Sequence, residues 1–164
     1  MSSQHADDAS DLSTDLAAIV RRLADTDAIQ RLKVRYCAAC DDDHDGEAVV
    51  ALFVPDGTWS TSLGDTMCDG HDAIRTHFGN IRASGRIRAS AHMVTNPLVD
   101  IDGDRATVRW SFTMVYTGAD EGRYRILGFY DDVMERADGR WQFRSLHSTV
   151  FDYVRLDAHD ATGR

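Results

Sequence analysis

Ala91 to Tyr116, which reads AHMVTNPLVDIDGDRATVRWSFTMVY, carries the clearest structural signal in the chain. Apolar and polar residues alternate from Ala91 to Ile101 and again from Ala106 to Tyr116, a pattern typical of strands with one buried face. Asp102-Gly103-Asp104 between them has the composition of a hairpin turn, in which glycine takes positive φ without strain. The stretch therefore predicts two long antiparallel strands.

The same pattern continues toward the C-terminus. Tyr124 to Arg136 and Trp141 to Val154 also read as long strands, and Ala137-Asp138-Gly139-Arg140 reads as the turn between them. Together the four segments predict an antiparallel meander.

Helical periodicity dominates the N-terminal part instead. Leu12 to Cys40 is predicted to be helical, and Asp25-Thr26-Asp27 in its middle is equally consistent with one interrupted helix or two. Further helices are predicted from Glu47 to Phe53 and from Gly70 to about Phe78, and a strand from Thr58 to Ser62. The apolar positions of the first helical segment are Leu16, Ile19, Val20, Leu23, Ile29, Leu32, Val34 and Tyr36.

This order of elements predicts an α+β fold, with N-terminal helices packed on one face of a curved, mostly antiparallel sheet. The 164 residues fit a single domain, which we place at residues 11–155, with flexible tails at 1–10 and 156–164. A sheet wrapped around helices leaves a concave pocket, the usual place for a small ligand.

Composition restricts the partners. The formal net charge is −9, from 27 acidic and 18 basic residues, which argues against nucleic acid and anionic membranes. No apolar run approaches the roughly 18 residues of a membrane span, and Met1 to Ser13 is too polar for a secretion signal. We therefore expect a cytoplasmic protein whose partner is a small molecule.

No metal or cofactor is predicted. The three cysteines, Cys37, Cys40 and Cys68, are an odd number and are expected to be reduced. Cys37-x-x-Cys40 comes late in a helix, where packing explains it better than redox chemistry or zinc binding. Three further residues are expected on polar loops or helix surfaces, without zinc-site spacing: His44, His71 and His77.

Tyr36, Asp41 and His92 are the candidate chemical groups. A histidine oriented by a carboxylate is a general base, and a phenol beside it can polarise a carbonyl or protonate a leaving group. From residue types alone, structural roles for all three are favoured. Because Tyr36 and Asp41 are five residues apart, about 140° from eclipsed on a helix, Asp41 is expected at the helix end, turned into the pocket.

Several other side chains are candidates for contact with a ligand. His147 shares a face with Ser145 and Thr149, but the opposite face of that strand is more apolar, so His147 is expected either in the pocket or at the outer surface. Asn96 beside Pro97 suits a turn as well as a ligand contact. Apolar candidates for lining a cavity include Trp59, Phe112, Met114 and Phe129, which would suit a ring-containing or otherwise apolar substrate.

A series of local motifs gives the chain a family resemblance over roughly Ala28 to Tyr153. The motifs are Ile29-x-x-Leu32-x-x-x-Tyr36-Cys37-x-x-x-Asp41, Ala51-Leu52-Phe53-x-Pro55-Asp56-Gly57-x-Trp59, Gly70-x-x-Ala73-Ile74, His92-x-x-Thr95-Asn96-Pro97, Asp102-Gly103-Asp104-x-Ala106, Gly128-x-Tyr130-x-Asp132 and Asp138-Gly139-x-Trp141. In this order and spacing they resemble the SnoaL-like branch of the nuclear transport factor 2-like (NTF2-like) superfamily, a cone-shaped α+β fold.

The resemblance implies a function. Tyr36, Asp41 and His92 look like the site of bile-acid 7α-dehydratase, and hexachlorocyclohexane dehydrochlorinase shares the Asp and His. The resemblance implies a cofactor-independent dehydratase-type lyase that acts on a small hydrophobic, cyclic, oxygenated substrate, and it implies a homodimer or homotrimer. An isomerase, a polyketide cyclase and a non-catalytic subunit, such as the small subunit of a ring-hydroxylating dioxygenase, are the alternatives within the superfamily.

The position of the carboxylate depends on the direction of counting. Counted forward from Tyr36, the family carboxylate falls on Asp41; counted back from Leu52-Phe53, it falls on Asp42. We favour Asp41, because a helix holds its spacing better than a loop does.

Overall fold

Helix α1, Ser2–Asp41, is one uninterrupted helix. Two residues at the point where a second helix was one of the two predictions, Asp25 and Thr26, make other contacts. The Asp25 carboxylate accepts hydrogen bonds from Arg136 at 2.7 Å and from the Trp141 indole at 3.1 Å, and the Thr26 hydroxyl donates to a backbone carbonyl within the helix. The computed structural model describes the backbone of residues 2–156 and the side chains of residues 15–156.

A six-stranded open sheet follows the helix, and the predicted α+β fold is confirmed. The elements after α1 are α2 (Gly46–Val50), β1 (Phe53–Thr61), β2 (Thr66–Asp69), α3 (Gly70–Ser84), β3 (Ile87–Asp102), β4 (Arg105–Gly118), β5 (Arg123–Ala137) and β6 (Arg140–Arg155). The strands lie in the order β2-β1-β6-β5-β4-β3, and every neighbouring pair is antiparallel except β1 and β6.

The predicted segments differ from the observed ones mainly at their ends. Helix α2 begins earlier than predicted, because the Asp45 carboxylate accepts from the backbone of Glu47 and Ala48. The short strand β2 has no counterpart among the predicted segments. The predicted limits of the domain and of its two tails stay predictions: α1 includes residues 2–10, and residues 157–164 lie outside the part that is described.

One face of the second half of α1 forms the core with the inner face of the sheet. Alternate residues of β4 are buried in this core, including Trp110, Phe112 and Met114. Among residues 15–41 of the helix, the buried ones are Ile29, Leu32, Lys33, Tyr36, Cys37, Ala39 and Cys40. The apolar residues earlier in the helix, Leu16, Ile19, Val20 and Leu23, are instead 55–65% exposed.

The three cysteines are free and buried. Burial raises the pKa of the Cys37 thiol to about 11, so it stays protonated at neutral pH. These findings fit the predicted packing role. Within residues 2–156, no helix is long and apolar enough to cross a membrane.

A fully buried ion pair links α1 to the sheet. The Lys33 ammonium lies 3.0 Å from the Asp132 carboxylate and 3.4 Å from the centre of the Tyr130 ring. Trp110 donates its indole N–H to the same carboxylate at 2.9 Å. Burial lowers the pKa of Lys33 and raises the pKa of Asp132, so desolvation disfavours the charged form of each group, and the opposite charge of the other group counteracts it.

We expect Lys33→Met to lower the free energy of unfolding by about 3–5 kcal/mol, because it leaves a buried carboxylate unpaired. The double variant Lys33→Met/Asp132→Asn should recover much of this loss, since an amide oxygen can still accept from Trp110. Urea denaturation measures both. Arg31→Met, which removes an exposed ion pair with Asp27, is the matched control and should change stability by less than about 1 kcal/mol. Equal effects of Lys33→Met and Arg31→Met would contradict the prediction.

Candidate active site

A cavity of about 230 Å³ lies between α1, α3 and the inner face of the sheet. Its lining is mostly apolar and aromatic, and it includes Tyr36 and His92. Larger open grooves, of about 560 and 760 Å³, lie on the outer sheet face and beside α1. Neither groove is lined by a histidine or cysteine of the described chain. The inner cavity is therefore the candidate active site.

Asp41 makes three hydrogen bonds to strand β3. One carboxylate oxygen lies 2.6 Å from His92 Nδ1 and accepts from the Ser90 hydroxyl at 2.8 Å. The other accepts from the backbone N–H of His92 at 2.8 Å. The last residue of α1 thus fixes both the backbone and the ring of His92.

These contacts set the charge of Asp41. Burial by itself would raise the pKa of this carboxyl, but the hydrogen bonds from His92 and Ser90 outweigh burial and lower the pKa below its ordinary value. An ionised carboxylate only accepts hydrogen bonds, so we assign the imidazole proton to Nδ1. The other ring nitrogen of His92, Nε2, is then the acceptor that a substrate can meet.

Asp41, rather than Asp42, is the carboxylate at His92. Asp42 is exposed, and its backbone N–H continues the helical pattern by donating to Ala38. The chain leaves the helix directly afterwards, through Asp43 and His44 at φ 54° and 56°. Counting forward from Tyr36 along the helix therefore identifies the carboxylate that contacts His92. Counting back from Leu52-Phe53 gives the wrong residue, because the extra residue lies in the loop.

Tyr36 lines the same cavity but does not contact Asp41. Its ring packs edge-on against Phe78, Tyr130 and Phe143, and its oxygen accepts from the Trp59 indole at 2.8 Å. Burial raises the pKa of Tyr36 well above its ordinary value, so the phenol stays protonated and can donate.

Three members of the predicted ligand-contacting set line the cavity: Trp59, Phe112 and Met114. The other three lie outside the cavity. This position corrects the prediction for Phe129, and for His147 and Asn96 it excludes the ligand contact that was one of the two expected roles. His147 faces the outer side of the sheet, where its Nδ1 lies 2.8 Å from the Ser60 hydroxyl. Phe129 packs on Phe151 on that outer side, at 5.2 Å between ring centres. Asn96 is exposed, at φ 52° in an irregularity of β3.

Two residues that were expected on polar loops or helix surfaces, His44 and His77, line the cavity instead. His44 is only 5% exposed, and its ring stacks on Phe78. His77, on α3, packs its ring against Trp59 at 4.5 Å. His77 lies three residues after Ile74 and next to Phe78, so the helical period offered a signal for it. The position of His44 depends on a left-handed turn that has no local signal in the sequence.

Comparison with known proteins identifies a family. Residues 21–147 match the SnoaL-like domain. A Novosphingobium aromaticivorans protein provisionally named an aromatic ring hydroxylase is 28% identical, with a TM-score of 0.75 over 81% of this chain and 94% of that one. No curated protein matches the chain significantly.

Two further solved structures share the fold. One, from the same organism, is provisionally named a scytalone dehydratase and is 24% identical, with a TM-score of 0.74 over 81% of this chain and 88% of that one. A type 3 hexachlorocyclohexane dehydrochlorinase from Novosphingobium barchaimii is 19% identical, with a TM-score of 0.75 over 88% of this chain and 99% of that one.

The buried histidines predict a pH-dependent stability. Burial lowers the pKa of His44 and of His77 below the ordinary value of 6.5. The unfolded chain therefore binds more protons than the folded chain as the pH falls below 6.5, and stability decreases on acidification. Urea denaturation between about pH 7 and 5 should show this slope, and His44→Asn/His77→Gln should flatten it. Equal slopes in the two proteins would contradict the prediction.

Proposed function

Because the chain belongs to the SnoaL-like domain family, we propose that it is a cofactor-independent lyase that eliminates water from a small cyclic substrate. The main support is the contact of Asp41 with His92 at the wall of an apolar cavity. A carboxylate that fixes one nitrogen of an imidazole leaves the other nitrogen poised as a general base. Two of the structural neighbours are named a dehydratase and a dehydrochlorinase, and both names describe eliminations.

Each residue has a defined role in this elimination. His92 Nε2 removes a proton from the carbon next to a carbonyl, while Asp41 holds the Nδ1 proton and stabilises the imidazolium. Tyr36 donates a hydrogen bond to the carbonyl oxygen as negative charge develops there. The C–O bond at the β carbon then breaks, and the departing hydroxide takes the proton from His92 as water. The products are an α,β-unsaturated carbonyl compound and water.

Cavity size limits the substrate. A cavity of roughly 150 Å³ in another protein holds one benzene molecule, so about 230 Å³ fits a single six-membered ring with small substituents. The aromatic lining favours the ring, and the substituents must then carry the oxygens. A cyclic β-hydroxy ketone meets these requirements.

An isomerase is a second candidate, because the same base can remove the same proton and return it at another carbon. A non-catalytic subunit is a third, favoured by the 28% identity to the protein provisionally named an aromatic ring hydroxylase. The subunit hypothesis requires a partner chain, whereas both enzyme hypotheses predict activity of the isolated chain. Assembly as a homodimer or homotrimer and a cytoplasmic location stay predictions.

We expect the isolated chain to convert 3-hydroxycyclohexanone to 2-cyclohexenone and water, followed by the ultraviolet absorbance of the enone. His92→Gln should lower kcat by about 10²- to 10⁴-fold, because it removes the general base. Asp41→Asn should lower kcat by at least about 10²-fold, because an amide can present its N–H to Nδ1 and favour the wrong tautomer.

The matched control is Asp42→Asn, which alters the neighbouring exposed carboxylate and should retain full activity. Circular dichroism checks that each variant is folded. Full turnover by both His92→Gln and Asp41→Asn would refute the proposed mechanism. Conversion of 3-cyclohexenone to 2-cyclohexenone, without dehydration of the hydroxy ketone, would favour the isomerase.

A further inference from the structure

Three histidines line the cavity, and the proposed elimination uses only His92. His92 has Asp41 as its partner, but His44 and His77 have no comparable contact. Within residues 15–156, no group hydrogen-bonds to a ring nitrogen of either histidine. No ring nitrogen of these two histidines is among the buried polar atoms without a partner, so the nitrogens remain accessible to water or to a ligand. Both rings therefore have unused hydrogen-bonding capacity where a ligand would bind.

The two rings are held through their faces. His44 lies in a left-handed turn at φ 56°, where its backbone N–H donates to Cys40 at 3.1 Å. Its ring stacks on Phe78 at 6.3 Å between ring centres, with 28° between the planes. His77 packs on Trp59 at 4.5 Å and 34°. Ring nitrogens project from the edge of an imidazole, so this packing fixes the rings without occupying the nitrogens.

The left-handed turn at His44 is itself informative. Non-glycine residues adopt positive φ uncommonly, although asparagine, aspartate and histidine do so more often than most residues. Such a conformation still has an energetic cost, which the surrounding packing must offset. Here the turn carries the ring from the end of α1 into a position that is only 5% exposed. A solvent-facing loop residue would not need this placement.

The rings suit a neutral oxygen better than a metal or an anion. Within residues 15–156, no three His, Cys, Asp or Glu side chains are arranged to hold a metal ion. Burial lowers the pKa of both histidines; charge on His92 or His77 would lower the pKa of His44 further, whereas Asp41 and Asp43 raise it without reversing the net shift. A neutral imidazole has one N–H donor and one acceptor nitrogen, which matches a hydroxyl or a carbonyl.

We propose that His44 and His77 form a hydrogen-bonding wall that recognises an uncharged oxygen substituent of the substrate, separate from the group on which His92 acts. This inference rests on the proposed function only in assigning the cavity to a substrate. The inference restricts the substrate class to single-ring compounds that carry a hydroxyl or carbonyl oxygen in addition to the group on which His92 acts. A ligand that places a carboxylate at this wall is disfavoured, because it meets no fixed cation there.

The test compares two ligands that differ by one hydroxyl. The full-length protein is titrated with p-cresol and with toluene, and binding is followed by NMR shifts of the cavity side chains. His44→Asn keeps a residue that tolerates positive φ, and His77→Gln keeps a polar side chain on the helix. Each variant should weaken p-cresol binding by roughly three- to tenfold, the range expected for loss of one hydrogen bond. Toluene binding should change by less than about twofold.

The matched control is His147→Gln, because His147 lies on the outer face of the sheet, away from the cavity. It should leave the binding of both ligands unchanged. Equal weakening of p-cresol and toluene by His44→Asn and His77→Gln would overturn the inference, because the rings would then only shape the cavity. Unchanged p-cresol binding in both variants, or no p-cresol binding by the unsubstituted protein, would also overturn it.

These outcomes are separate from those of the elimination test. Binding of p-cresol involves no turnover, so the same titration can be repeated in the His92→Gln background. If His92 proves dispensable for activity, selective loss of p-cresol binding in His44→Asn still supports the wall. If His92 proves essential and neither variant affects p-cresol binding, the proposed elimination is supported and the hydrogen-bonding wall is refuted.

Discussion

The buried ion pair between Lys33 and Asp132 fixes how helix α1 crosses the concave face of the sheet. Both charged groups are fully buried, so their separation is costly and the helix cannot rotate or slide without losing the pair. Tyr36 lies three residues further along the same helical face and is thereby directed into the cavity. Asp41, at the end of the helix, is brought to strand β3. The active-site geometry thus depends on an interaction that has no chemical role in it.

In the proposed mechanism, Asp41 serves both folding and chemistry. It accepts from the backbone N–H of His92, which joins the helix end to β3, and it also contacts the His92 ring. The backbone position of the strand and the orientation of the imidazole are therefore coupled. A base whose alignment comes from the packing of two long elements is held more rigidly than one placed on a loop.

The cavity combines an apolar lining with a phenol and two imidazoles whose charged forms burial disfavours. Burial keeps Tyr36 protonated and disfavours the charged forms of His44 and His77. Asp41 remains ionised because three hydrogen bonds stabilise its charge. In the proposed elimination, transient charge on His92 and on the substrate oxygen would meet the fixed dipoles of these groups, which is a condition for effective electrostatic stabilisation.

Periodicity in the sequence was sufficient for much of the fold. Alternation predicted the four long strands and their hairpins, since the side chains of a strand follow a period of two wherever one face is buried. Helical spacing also selected Asp41 over Asp42, because the extra residue was in the loop. Periodicity did not show which apolar part of a helix would pack against another element. Leu16, Ile19, Val20 and Leu23 follow the helical pattern and nevertheless stay exposed.

The direction in which each side chain points, and the convergence of the site residues, came from contacts between distant parts of the chain. Alternation left two orientations for His147, and pairing of β6 with β1 and β5 put its ring on the outer side. The left-handed turn that buries His44 has no local signature, and its partner Phe78 is on another helix. Asp41 and His92 meet in the site, and Lys33 and Asp132 meet in the core. In each pair the two residues come from separate elements. Local sequence patterns set the period of each element, whereas its rotation and depth follow from the burial of all elements together.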